Sequence, residues 1–99
     1  MNRSCAIVAL LCAWVLWREV DTTEKGRTVT FWTLEAAEET KRECLDSLKA
    51  RLVRSFGEKG DPAGYITIGD TWALEKYESK TRRHTYWCLP AGTDPRPRS

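Results

Sequence analysis

The sequence has a single histidine, no run of five like charges, and no glycine-rich loop with the spacing that cradles phosphate. The lone histidine excludes metal sites built from several imidazoles. The net charge of +2, with both signs interspersed, excludes the strongly basic profile of nucleic-acid-binding proteins. We therefore expect no metal, no nucleotide cofactor and no nucleic-acid partner.

Long hydrophobic runs are also missing, because the longest apolar stretch, from Cys5 to Trp17, is shorter than the roughly 20 residues that cross a membrane. Arg3 precedes this stretch, and Ala13 offers a small residue for cleavage. The pattern is typical of a secretory signal over residues 1–13, which predicts a periplasmic or secreted protein without a transmembrane span after processing. The signal is shorter than usual, which favours a start codon upstream of Met1.

Two other interpretations of this segment stay open. It is a buried N-terminal strand or helix if the protein remains in the cytosol. It is part of a lipoprotein signal if Cys12 becomes lipidated, although Leu11 suits that processing poorly.

Cysteine is scarce in the remaining chain, where only Cys44 and Cys88 lie beyond the predicted signal. An even number of cysteines in a small exported domain predicts a disulfide, here with one possible pairing. The alternative is a pair of free buried thiols in a reducing cytosol. A metal site at these cysteines is not expected, since His84 is the only histidine available to join them.

A helix is predicted in the middle of the chain. Thr40 stands three residues before Glu43, as in a capping box, and Gly57 is placed to end the helix. Apolar residues recur between them at helical spacing and predict one buried face, made of Cys44, Leu45, Leu48, Leu52, Val53 and Phe56.

Strands are predicted before and after that helix in the sequence. The first strand starts with residues 14–17, and further strands cover residues 28–34, 65–68 and 84–89. We interpret residues 21–27 as a polar connection, residues 35–39 as a helical turn or loop, and residues 70–80 as either strand or helix. The predicted fold is α+β: one amphipathic helix packed on a small antiparallel sheet, with one disulfide. It forms a single domain over residues 14–90, followed by a Pro-rich extended tail over residues 91–99.

The sequence indicates no catalytic residues. His84 and Cys88 lie roughly 13 Å apart if both are on one strand, and no carboxylate stands in an apolar context. The candidate surface and binding residues are the aromatic pair Trp14 and Trp17 and the basic cluster Arg82, Arg83 and His84, although burial of one or both tryptophans in the core is the alternative. We expect a small exported non-enzymatic protein that binds an unknown protein or small ligand, or an envelope-associated protein. The alternative is a thiol/disulfide redox partner or enzyme accessory protein that uses Cys44 and Cys88.

Several short motifs resemble those of a group of short exported bacterial proteins of uncharacterised function. These are a Trp-x-x-Trp start, a helix opening with Thr-Lys-x-x-Cys, and a Cys-Leu-Pro end followed by Asp-Pro-Arg, here at residues 14–17, 40–44, 88–90 and 94–96. Phe31, Trp32 and Thr33 match as well. The resemblance implies export and a disulfide between the two matched cysteines, and it implies no activity.

Overall fold

The computed structural model describes residues 13–57 and 65–97, so the predicted signal lies outside the described residues except for Ala13. The described part contains the strands and the helix β1 (Trp14–Glu24), β2 (Arg27–Glu38), α1 (Lys41–Leu52), β3 (Ile66–Ile68), β4 (Trp72–Lys76) and β5 (Lys80–Pro90). A π-helical turn, Val53–Gly57, continues α1 to the glycine that was predicted to end it. No helix among the described residues is long and apolar enough to cross a membrane.

The five strands form one antiparallel sheet in the order β2-β1-β5-β4-β3. The first and last strands are neighbours and pair along their whole length, from Trp14 opposite Pro90 to Glu24 opposite Lys80. This architecture confirms the predicted α+β class with an antiparallel sheet.

The β1–β2 hairpin is longer than the sequence indicated. Only Lys25 and Gly26 form the connection, and both have positive φ angles (53° and 76°), as a two-residue hairpin turn of the right twist requires. The polar residues interpreted as a loop are paired strand residues: Thr23 and Thr28 share a hydroxyl hydrogen bond of 2.8 Å, and Thr30 donates to Asp21 over 2.6 Å. Cross-strand pairing of this kind suits threonine. The prediction of a loop over residues 21–27, which relied on their polarity, was therefore wrong except at the two turn residues.

Strand β2 also runs through residues 35–38, where the sequence suggested a helical turn or loop. A β-bulge at this point leaves Glu35 as the extra residue, since Leu34 faces Trp17 while Ala36 faces Leu16. The Glu35 carboxylate forms ion pairs with Arg18 and with Arg51 of α1, at N–O distances of 3.4 and 3.2 Å. These ion pairs connect the bulged strand to the helix.

The N-terminus of α1 has the predicted capping box. The backbone N–H of Glu43 donates to Thr40 Oγ1, and the backbone N–H of Thr40 donates to Glu43 Oε1, both over 3.1 Å. Two backbone donors that the helix cannot satisfy itself are therefore paired.

One buried cluster contains side chains of the helical segment and of the sheet together. Leu45 of α1 and Val53 of the π-helical turn were predicted to lie on the apolar face, but both are exposed and neither joins the buried cluster. The other residues of that face join strand residues in the core, whose members are Leu16, Cys44, Leu48, Leu52, Phe56, Ala73 and Tyr86.

The predicted disulfide between Cys44 and Cys88 is present. Its Cα atoms are 6.0 Å apart, within the range that an unstrained bridge needs. Cys44 is fully buried, and Cys88 packs against the same core. The bridge therefore joins the first turn of α1 to the last strand inside the hydrophobic core.

Replacing both Cys44 and Cys88 by alanine is expected to lower the free energy of unfolding by about 2–5 kcal/mol, because the unfolded chain regains the entropy of an open loop. Urea denaturation of the two proteins measures the difference. Unchanged midpoints would contradict a stabilising bridge, and free thiols at both positions in protein recovered from cells would contradict the pairing itself.

Replacing Thr40 by alanine is expected to cost about 1 kcal/mol, because the acceptor for the Glu43 N–H is lost. Thr40→Ser retains a hydroxyl and serves as the matched control. Equal stabilities of the alanine and serine variants in denaturant would show that the cap contributes nothing.

Candidate functional site

Four of the five tryptophans lie on the side of the sheet opposite α1. Side chains of directly paired strand residues share a face, and Leu16 with Cys88 defines the helix side. The alternation places Trp17 opposite Trp87, Trp32 opposite Glu19, and Trp72 opposite Thr85 on the other side. We call this surface the tryptophan face, formed by Trp17, Trp32, Trp72 and Trp87.

The four indoles differ in exposure. Trp87 retains 43% of its surface, while Trp32 and Trp72 are half-buried and Trp17 is only 7% exposed. Trp32 and Trp72 stand on strands three spacings apart, which separates their Cα atoms by roughly 14 Å. The face therefore presents aromatic surface across most of the width of the sheet.

The start of the C-terminal tail covers Trp17. Gly92, at φ 90°, turns the chain after β5, and the backbone N–H of Ala91 donates to the carbonyl of Ala13 over 2.8 Å. Arg96 then lies 5.3 Å from the centre of the Trp17 ring. Its guanidinium donates bidentate hydrogen bonds of 2.6–3.2 Å to the Asp94 carboxylate. These hydrogen bonds lower the pKa of Asp94 to about 2.

Polar groups of both signs lie among the indoles. Trp87 donates its indole N–H to Glu19 Oε1 over 3.1 Å, and the guanidinium of Arg83 lies 5.2 Å from the Trp72 ring centre. Burial raises the pKa of Glu19, and the neighbouring carboxylate of Asp21 raises it further. The face can thus donate and accept hydrogen bonds beside its aromatic rings.

Trp72 lies directly against the β3–β4 turn. A Cβ built on Gly69 would come within 2.3 Å of the Trp72 ring, and the Gly69 N–H donates to the Trp72 carbonyl over 2.8 Å. Only glycine permits this approach. The turn therefore sets the position of the indole.

The structure divides the five candidate residues between the two faces. Trp17 and Arg83 belong to the tryptophan face. Trp14, Arg82 and His84 lie on the helix side, where Trp14 packs against the core with the Lys41 ammonium 5.5 Å from its ring. Residues three apart, or adjacent, on a strand point to opposite faces, so these side chains form no single patch.

His84 differs from the exposed residue that the sequence suggested, because it is only 8% exposed. Its Nε2 lies 2.8 Å from Glu75 Oε1, and the Tyr77 hydroxyl donates to Glu75 Oε2 over 2.9 Å. Although burial opposes ionisation, these hydrogen bonds lower the pKa of Glu75. Phe56 packs on the imidazole with ring centres 4.8 Å apart, so the cluster links β4 and β5 beneath the helical segment.

Concave surfaces near the sheet are shallow. A depression of about 530 Å³ lies beside the β1–β2 hairpin and includes Val29, Phe31 and Arg82, and one of about 220 Å³ lies between Trp17 and the tail. Among residues 13–57 and 65–97, no group of three or more His, Cys, Asp or Glu side chains could hold a metal ion.

Trp32, Trp72, Trp87 and Glu19 were not among the site residues predicted from the sequence. A period-two pattern on β5, with Arg83, Thr85 and Trp87 on one face, was the available signal. Assembling the face also required the strand order, which brings residues far apart in sequence into register. Comparison with protein-family models, curated proteins and solved structures finds no match to this chain.

Protonation of Glu19 is expected to alter the fluorescence of Trp87, because the neutral carboxyl is a weaker acceptor for the indole N–H. The raised pKa places the midpoint above 4.5, the ordinary value for glutamate. Since burial disfavours the charged form, this residue contributes less stability as the pH rises through its folded-state pKa.

An emission titration measures this effect, and Asp94, with a pKa of about 2, stays charged throughout the transition. The transition should vanish in Glu19→Gln and in Trp87→Phe. Its persistence in Glu19→Gln would show that another group is responsible.

Proposed function

We propose that this is a small exported, non-enzymatic binding protein whose tryptophan face binds a glycan chain. The observation that carries the proposal is the convergence of four tryptophans on the side of the sheet that α1 leaves open, with Trp87 well exposed among them. Three of these tryptophans, Trp32, Trp72 and Trp87, keep exposed surface on this face, and exposed apolar patches mark binding sites.

The chemistry of the face favours a neutral, hydroxyl-rich ligand. Indole rings supply flat apolar surfaces on which the C–H faces of sugar rings can stack, while Glu19, Thr85 and Arg83 stand beside them as acceptors and donors for hydroxyl groups. Glu19 and Asp21 share this face with Arg83, so the face lacks the excess of positive charge that binding of polyanions such as nucleic acid requires.

The shape of the face favours an extended ligand. The depression beside Trp17 has a volume of about 220 Å³, below the roughly 300–1,000 Å³ of typical small-molecule pockets. Aromatic surface spread over about 14 Å suits a chain that lies across the strands. A linear oligosaccharide combines these properties.

Export remains part of this proposal. The apolar segment behind Arg3 and the resemblance to short exported bacterial proteins support a periplasmic or secreted location. The Cys44–Cys88 bridge suits an oxidising compartment as well. Cys44 is completely buried and Cys88 is half-buried. This restricted access favours a structural bridge over thiol–disulfide exchange, which requires attack by another thiolate on one of the two sulfur atoms.

Isothermal titration with cellohexaose and chitohexaose tests the ligand class. We expect Trp87→Ala to weaken binding by about tenfold or more, since aromatic anchors dominate such interfaces. Tyr77→Ala is the matched control, because Tyr77 is also an exposed aromatic residue but contacts Glu75 on the helix side.

Equal losses in both variants would contradict a role for the tryptophan face. If the protein bound neither cellohexaose nor chitohexaose but did bind an unstructured peptide, the glycan assignment would be contradicted. Circular dichroism of each variant establishes that the sheet is retained.

A further inference from the structure

The two edges of the sheet differ sharply in length and composition. Strand β3 forms one edge with only three residues, whereas β2 forms the other with twelve. Soluble proteins usually protect sheet edges with short strands, proline or lysine. Strand β2 contains neither proline nor lysine, and the stretch from Thr28 to Leu34 carries no charge.

The outer edge of β2 offers unpaired backbone groups. In a two-residue hairpin the residues flanking the turn, Glu24 and Arg27, form a hydrogen-bonded pair, and such pairs alternate along the ladder. Thr28, Thr30 and Trp32 therefore direct their N–H and C=O groups away from β1. Among the described residues, no strand pairs with this edge.

Exposed apolar side chains are concentrated on the same strand. Phe31 is 65% exposed and Val29 54% exposed on the helix side, while Leu34 is 52% exposed on the tryptophan face. Both sides of one edge strand thus carry apolar surface that a neighbouring strand would cover.

We propose that the protein forms a symmetric dimer in which the β2 strands of two copies pair antiparallel. The charges of β2 favour this partner and this orientation: the strand begins with Arg27 and ends at Glu38, which Glu39 follows. Antiparallel pairing brings the basic start of each copy to the acidic end of the other, whereas parallel pairing would align like charges. The β2 edge of one copy then contacts the same edge of the other copy across a twofold axis.

A register centred on Phe31 satisfies these conditions. Phe31 pairs with Val20 of its own chain, so its N–H and C=O face inward and the two Phe31 residues form a non-hydrogen-bonded pair with close side chains. The outward groups of residues 28–34 form about eight backbone hydrogen bonds between the copies.

The dimer goes beyond the proposed glycan binding but has a consequence for it. A twofold axis perpendicular to the sheet keeps both α1 helices on one side and joins the two tryptophan faces on the other. The sheet then has ten strands, and the aromatic surface doubles in width.

Sedimentation velocity of the folded protein across micromolar concentrations tests the dimer, with Thr30→Pro as the critical variant. Proline removes one outward N–H without taking a donor from the β1–β2 ladder. Thr30→Val is the matched control, because both variants lose the hydroxyl bond to Asp21 but valine keeps the N–H.

We expect the natural chain and Thr30→Val to sediment as dimers and Thr30→Pro as a monomer. A natural chain that stays monomeric, or a Thr30→Pro variant that dimerises as well, would overturn the proposal. Glycan titration of the monomeric variant separates this proposal from the previous one, since each tryptophan face stays intact within one copy.

Cysteine cross-linking tests the register independently of any destabilising proline. In the proposed dimer the two Phe31 Cα atoms lie about 4.5 Å apart, within disulfide range, while the two Thr33 Cα atoms lie roughly 13 Å apart. Under mild oxidation Phe31→Cys should become a covalent dimer and Thr33→Cys should not. Equal cross-linking of both variants would contradict the pairing.

Discussion

The pairing of β1 with β5 is the constraint on which the rest of the structure depends. In the sheet, β5 is the central strand and β1 lies between it and the edge strand β2. Eleven residue pairs join β1, at the start of the described domain, to β5, its last strand. This register sets Leu16 beside Cys88 on one side and Trp17 beside Trp87 on the other. A shift of one residue would exchange every side chain between the two faces.

Each face has a distinct role because of that register. On the helix side, Cys88 forms the disulfide with Cys44, so both the covalent bond and the hydrophobic core hold α1 against β5. The bulge at Glu35 adds ion pairs to Arg18 and Arg51 at the edge of the helix. On the other side Trp87 is exposed and Trp32 and Trp72 are half-buried, while the turn of the C-terminal tail covers Trp17.

Local chemistry explains which elements could be predicted. The cap of α1 depends on Thr40 and Glu43 alone, and the pairing of cysteines followed from their small number. The predictions failed where polarity was taken as evidence of a loop. The Thr-rich hairpin and residues 35–38 are strands because cross-strand hydrogen bonds and ion pairs satisfy their polar groups. His84 was misjudged for a related reason, since Glu75 satisfies it within the protein.

The sequence by itself determined the α+β class, the capped helix, the disulfide partners and most strand cores, because these depend on spacing between near neighbours or on counts. Only the tertiary structure decided the order of the strands, and with it the face to which each tryptophan belongs. Trp32 comes from β2, before the helix, whereas Trp72 and Trp87 come from β4 and β5, after the helix. No local pattern specifies which strands become neighbours, because that choice follows from burying all apolar faces at once.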